Sequence, residues 1–236
     1  MNGILHISDV HCGYNARPVL NGITFSLKQG ETVLVAGPNG CGKSTLLKAI
    51  IGMLPLTEGV ISFDGTDFKH ISTERRINMG IGYLSQTDNI FPGLTVKENL
   101  ELSGLSIQSK SLEKAIGSVL AIFDFLKPLL NRRAGVLSGG QRQALAIAMV
   151  LLHPRKLYLL DEPTAGLSPK AADDIITRIH QFTKTNSQCT VLMVEHRLEL
   201  LNWIDRAIIL IQGRIQAEAN DTSLLQNAEW MSKHYF

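Results

Sequence analysis

Residues 37 to 45 read GPNGCGKST, three glycines among small or polar residues, with one lysine and two hydroxyls behind them. Gly37, Gly42, Lys43 and Ser44 fit the spacing G-x-x-x-x-G-K-[ST] of a phosphate-binding loop. Glycine can take φ > 0, so successive amide N–H groups can turn inward and form a concave anion site. Gly37, Gly40 and Gly42 supply that freedom, with Pro38, Asn39, Cys41 and Thr45 as the other members of the loop. Lys43 would reach the β- and γ-phosphates of ATP, and the Ser44 hydroxyl would ligate Mg²⁺. The alternative is a glycine-rich turn carrying a solvated lysine.

A second group lies in LYLLDE, Leu157 to Glu162, where a buried strand ends in two carboxylates. Asp161 would hold Mg²⁺ directly or through water, and Glu162 would polarise an attacking water. Adjacent carboxylates at a strand end could instead cap the following turn. Cys12, Cys41 and Cys189 are odd in number and far apart, which argues against a disulfide framework or a zinc site. Cys41 sits where a helix N-terminus could lower its thiol pKa and make it redox-sensitive; otherwise it is a small side chain that fits.

The flanking elements can position these groups. Thr32 to Ala36 (TVLVA) suits a buried strand and STLLKAIIGML a helix, the setting a phosphate loop needs. The unpaired N–H groups and positive dipole end of that helix would face the same anion. Leu5–Val10 and Ile23–Leu27 also read as strands, separated by turn residues such as Asn21-Gly22 and Gln29-Gly30. Val60–Phe63 followed by Asp64-Gly65 repeats the hairpin pattern, and Ile81–Leu84 is another short strand. The first 85 residues are therefore mostly β, with one helix.

From Thr95 to about His153, TVKENLEL, SLEKAIGSVLAIF and GQRQALAIAMVLL read as helices, the last capped by Ser138 and ended by Pro154. Leu157–Leu160, Thr190–Val194 and Ala207–Ile211 return as apolar strands, with Ala171–Thr183 a helix between the first two. This alternation predicts an α/β protein with a parallel sheet and an inserted helical subdomain.

The 236 residues allow a sizeable core, with 44% hydrophobic and 19% charged residues. A net charge of +2 implies no nucleic-acid partner. The longest apolar run, Ala144–Leu152, is short of the roughly 20 residues a spanning helix needs. The N-terminus shows no basic region followed by an apolar core, so a cytoplasmic location is expected.

LSGGQ, Leu137 to Gln141, narrows the reading: the chain resembles the ATP-binding cassette (ABC) ATPases, of which this is the signature motif. The resemblance covers nearly the whole length, with motifs in the family's order. Tyr14 matches the aromatic that stacks on adenine, residues 37 to 45 the phosphate loop, and Gln86 in GYLSQ the Q-loop glutamine. Leu157–Glu162 matches the Walker B strand and His196 in MVEH the switch histidine.

The resemblance implies a P-loop NTPase core with a mostly parallel sheet and an N-terminal antiparallel β subdomain. It also implies one nucleotide-binding domain over 1–236, with 1–88 and 156–236 as the core and about 89–155 as the helical subdomain. Ser138, Gly139, Gly140 and Gln141 would open a helix and form a second anion site, supplied to the nucleotide of another subunit. Two subunits, identical or different, would pack head to tail around two ATP molecules. Glu162, His196, Lys43 and Gln86 would be the catalytic set, with Ser44, Gln86 and Asp161 around Mg²⁺. Each has a plainer alternative: Tyr14 as a packed surface aromatic, His196 as a structural histidine, Gln86 as a solvated amide. One departure is Ser168 in AGLSP, where the family commonly has the D-loop aspartate. A shorter, uncharged side chain there would weaken a contact between subunits.

With no spanning helix, a separate transmembrane permease is the implied partner, placing the chain on the inner face of the membrane. The chain runs about 25 residues past Ala207–Ile211, so no C-terminal regulatory domain is expected. Within the family, Arg75–Leu102 and the terminal SLLQNAEWMSKHYF resemble the ATPases of branched-chain amino acid importers. Related cassettes serve urea uptake and lipopolysaccharide export, so substrate and direction stay open here. A soluble assembly ATPase, as in iron–sulfur cluster formation, and a nucleotide-gated interaction module are the alternatives of other classes.

Overall fold

The structure of the chain, a computed structural model, describes residues 3–15, 17–87, 89–186, 188–195 and 204–220. It opens with the strands β1 (Gly3–Tyr14) and β2 (Arg17–Lys28), then β3 (Thr32–Ala36) and helix α1 (Lys43–Ile51). Strands β4 (Glu58–Phe63) and β5 (Thr66–Asp67) lead to helix α2 (Thr73–Asn78) and strand β6 (Ile81–Leu84). Helices α3 (Val96–Ser103), α4 (Ser109–Ile122) and α5 (Gly139–Leu151) follow. The chain then alternates through β7 (Leu157–Asp161), α6 (Pro169–Thr185), β8 (Thr190–Glu195), β9 (Arg206–Ile211) and β10 (Arg214–Ala219).

The described strands form two sheets, one in the order β2-β1-β4-β5 and the other in the order β10-β9-β3-β8-β7-β6. The first is antiparallel; in the second, β9, β3, β8, β7 and β6 run parallel and β10 returns antiparallel to β9. A strand covered on both faces must be apolar at every position, which is why TVLVA and LYLL show no alternation. Val33 and Val35 pack with Leu46, Leu47 and Ile50 of α1 and with Leu5, Leu20 and Phe63 of the antiparallel sheet. Leu34 and Ala36 face the other way, into a cluster with Leu100, Val119, Leu145, Ile175 and Phe182 from α3 to α6. Helix α6 shows the matching pattern, burying Ala172, Ile175, Ile176, Ile179 and Phe182 along one face.

Strand register then gathers the functional residues. Ala36 is aligned with Glu195, and Asp161 with Val194, so β3, β7 and β8 end at one edge. Ligands of open α/β sheets bind at that carboxyl edge.

The structure corrects three expectations. Asn21-Gly22 is not the turn between two strands: the pairing passes from Val10 with Ile23 to Cys12 with Leu20, so β2 carries an extra residue there. Gly22, at φ 74, sits in this bulge, and the hairpin reverses around Asn15, at φ 46. Strands β1 and β2 are accordingly longer than expected. The first 85 residues hold two helices, since Ser72 accepts a hydrogen bond from Arg75 N and starts the short, mostly exposed α2. Strand β10 was not anticipated; Gln212 and Gly213, at φ 48 and 73, make the turn that pairs it with β9. Asp64-Gly65, at φ 49 and 78, does form the tight turn expected between β4 and β5.

Candidate nucleotide site

Helix α1 begins at Gly42, whose φ of 111 is open to glycine and which leaves the helix start without a side-chain cap. At Gly37 the constraint is space, because a Cβ there would stand 2.1 Å from the Leu210 carbonyl oxygen. Pro38, Asn39 and Gly40 form the exposed tip, whereas Cys41, Gly42, Lys43 and Thr45 are buried beneath it. The Lys43 ammonium donates to the carbonyls of Gly37, at 2.8 Å, and Pro38, at 3.1 Å. No carboxylate pairs with it among the described residues. A buried cation beside an uncapped helix N-terminus is an arrangement that an anion completes.

Ser44 donates from its hydroxyl to Asp161 Oδ1 at 2.8 Å, joining the loop to the end of β7. Burial pushes the Asp161 carboxyl up, and the negative charge of Glu162 adds to this. The Ser44 hydrogen bond and the charge of Lys48 act the other way. Among the described residues no group of three His, Cys, Asp or Glu could hold a metal alone. One hydroxyl beside one carboxylate, next to a phosphate cradle, instead suits Mg²⁺, which keeps water and phosphate oxygens in its shell.

Glu162 follows at φ 49, a left-handed conformation that is costly for a residue with a Cβ. Its backbone N–H donates to Val194 O at 3.0 Å, and its Oε2 accepts from Gln86 Nε2 at 2.8 Å. Gln86 follows directly on the short loop after β6, so Ser44, Asp161, Glu162 and Gln86 form one connected cluster.

Tyr14, 40% exposed, ends β1 opposite Arg17. Three residues along β2, Leu20 lies so close to Gly42 that a Cβ on the glycine would meet its Cδ2 at 2.8 Å. The hairpin thereby carries Tyr14 to the rim of the loop. Ser138 caps α5 reciprocally with Gln141: each backbone N–H is accepted by the other's side chain. The first-turn N–H groups of Gly139 and Gly140 have no intrahelical acceptor, and the space beside Gly139 is open. No described hydrogen bond joins this helix start to the phosphate loop. His196 lies outside the described residues, as does SLLQNAEWMSKHYF. Ser168 accepts a hydrogen bond from Ala171 N at 3.4 Å as the N-cap of α6.

Two features are absent from the sequence expectations. Glu195, buried at the end of β8, accepts at Oε1 from Thr164 N at 2.8 Å and Thr164 Oγ1 at 2.6 Å. An acid closing the otherwise apolar run TVLMVE was the available signal. Tyr83 Oη is buried and makes no hydrogen bond of ordinary geometry. Burial and then the Asp161 charge push its phenol up. Of the two readings of Cys41, burial favours the plainer one, since it pushes the thiol up and outweighs the opposing effect of Lys43.

The family model described as ABC transporter matches residues 20–165, more than half of the chain. A probable branched-chain amino acid transport ATP-binding protein, LivF of Archaeoglobus fulgidus, is 35% identical over 228 residues, 96% of each chain. The high-affinity branched-chain amino acid transport ATP-binding protein BraG of Pseudomonas aeruginosa is 33% identical over 95% of this chain and 96% of its own. Among solved structures, an ATP-binding cassette of an ABC transporter in its ADP conformation gives a TM-score of 0.87 at 29% identity, covering 98% of both chains. A dimeric ATP-binding cassette in a post-hydrolysis state with ADP and phosphate gives 0.80 at 26% identity, over 91% of this chain and 97% of that one.

Proposed function

The chain belongs to the ABC transporter family and is an ATP-hydrolysing enzyme, and from that premise we propose that it drives a branched-chain amino acid type of transporter through a separate membrane permease. One observation carries the catalytic part: the Ser44–Asp161 and Gln86–Glu162 hydrogen bonds link the residue next to the buried Lys43 through two adjacent carboxylates to Gln86. The substrate class rests on the two relatives named for branched-chain amino acid transport.

In this reading Lys43 leaves its two carbonyls for the β- and γ-phosphates, while backbone N–H groups of the loop after Pro38 enclose them. Ser44 and Asp161, with Gln86 close by, would hold Mg²⁺, which neutralises charge on the phosphates when bound. Glu162 orients and polarises the attacking water, helped by His196. Tyr14 stacks on the base.

Ser138, Gly139, Gly140 and Gln141 face the nucleotide of a second copy, packed head to tail as a dimer. The solved dimeric cassette supports that assembly. No described helix is long and apolar enough to cross a membrane, so in this proposal the permease supplies the membrane path and holds the chain at the inner face.

The test is purification from its own cells in mild detergent, identification of the bound membrane subunits, and reconstitution in vesicles. ATP-dependent uptake of labelled leucine is the expected result. Uptake of an unrelated solute by the same complex, with leucine ignored, would overturn the substrate class. Recovery with soluble scaffold proteins and no permease would overturn the transport role.

A further inference from the structure

Tyr83 lies on β6, the edge strand of the parallel sheet, opposite Leu159 of β7. Side chains two residues apart on a strand share a face, so Tyr83, Leu159 and Asp161 lie on the side that packs toward α1. Tyr83 and Leu159 both join the cluster built around that helix. The phenol is thereby delivered beneath the Asp161 carboxylate, the charged group with the largest effect on it.

Despite that placement its hydroxyl is shut off from solvent and lacks a hydrogen bond of ordinary geometry. Such a group is costly to bury, and phenylalanine would fill the same space without the cost. The Asp161 carboxylate is already near enough to act on the phenol but is not placed for a hydrogen bond of ordinary geometry, so the pair calls for a state of the site that brings the two together.

An ionised carboxylate such as that of Asp161 has about four acceptor positions, and the hydrogen bond shown here at Oδ1 comes from Ser44. We propose that Tyr83 is a positioning residue of the metal site, its hydroxyl donating to the Asp161 carboxylate once Mg²⁺ and nucleotide are bound. With Ser44 on one side and Tyr83 on the other, the carboxylate plane is fixed and a remaining lone pair faces the ion or its water. Partners that orient a metal-binding carboxylate commonly change metal affinity by about 10- to 100-fold. This inference rests on the placing of Mg²⁺ at Ser44 and Asp161 given above.

The experiment compares the full wild-type chain with Tyr83→Phe. ATP affinity is measured by calorimetry with Mg²⁺ and again with EDTA, and thermal unfolding is followed without nucleotide. The variant is expected to unfold at the wild-type temperature or above it, because it loses a hydroxyl without a partner. Its affinity in EDTA should match wild type, while the gain in affinity from Mg²⁺ falls by about tenfold. A Mg²⁺ gain equal to wild type would overturn the role of Tyr83 alone. A lowered unfolding temperature, with affinity falling equally in Mg²⁺ and EDTA, would reduce the residue to packing and overturn it too. A wild-type chain whose ATP affinity ignores Mg²⁺ would instead overturn the metal site on which the inference stands.

Discussion

The Gln86 amide and the Glu162 carboxylate are joined by a 2.8 Å hydrogen bond, 76 residues apart in sequence. One partner belongs to the loop after β6 and the other to the strained residue after β7. The bond links the groups expected to handle water to the segment that leads into the helices α3 to α5.

Replacing Glu162 by Gln keeps the shape of that contact and removes the charge that polarises water. Turnover is expected to fall by at least about 100-fold, the scale of a lost general base, with ATP binding retained. The ATP-bound variant should elute as a dimer on size-exclusion chromatography. A variant that stays monomeric with ATP at saturating concentration would contradict the head-to-tail assembly.

Lys43 gives a prediction in which stability and function part. Its ammonium is buried on two carbonyls, with no carboxylate partner among the described residues. Lys43→Met should therefore leave the nucleotide-free chain at least as stable as wild type. The same change should weaken ATP binding by about tenfold or more, the size of one or two charge-assisted hydrogen bonds. Calorimetry and thermal unfolding on one preparation check both halves.

Arg76 predicts the opposite pattern. Its guanidinium donates to the carbonyls of Ile71, Ala49, Ile50 and Phe68 and lies 4.5 Å from the Phe68 ring centre. It ties the end of α1 to β5 and α2, away from the phosphate loop. Lysine cannot reproduce a planar fork, so Arg76→Lys should cost about 2–4 kcal/mol in denaturant unfolding. ATP affinity should persist wherever the variant remains folded.

The thiols give the pH prediction. All three cysteines are buried and burial pushes each thiol up, that of Cys189 from 9.0 to about 11. They stay protonated at pH 8, so a thiol reagent should label the native chain slowly and reach all three only in denaturant. Between pH 9.0 and about 11 the folded chain keeps the Cys189 proton that the unfolded chain releases, so stability falls as pH rises through that window. Replacing Cys189 by Ala should flatten the alkaline limb of an unfolding-versus-pH curve.

The parts of the fold that read clearly in the sequence were those where one physical demand dominates. Doubly covered strands such as TVLVA must be apolar throughout, and a phosphate loop must place its glycines and lysine at fixed spacing. Asn21-Gly22 misled because glycine at positive φ serves a bulge as well as a turn, and only the partner strand distinguishes them. The helix Thr73–Asn78 and strand β10 were missed because they are short and largely exposed, with little apolar periodicity to reveal them. At the site, the family motifs pointed to Ser44, Asp161, Gln86 and Glu162. Thr164, Glu195 and Tyr83 escaped notice because their importance lies in distances across strands, which no local pattern encodes.

The grip of Glu195 on Thr164 has a mechanical outcome. It fastens the turn just beyond Glu162 to the very tip of β8, so a tug on that tip arrives at the carboxylate with little slack. The residue next along the chain from that tip is His196. The turn that carries the acid and the end of β8 thus share one anchor, and a disturbance that shifts one is felt at the other.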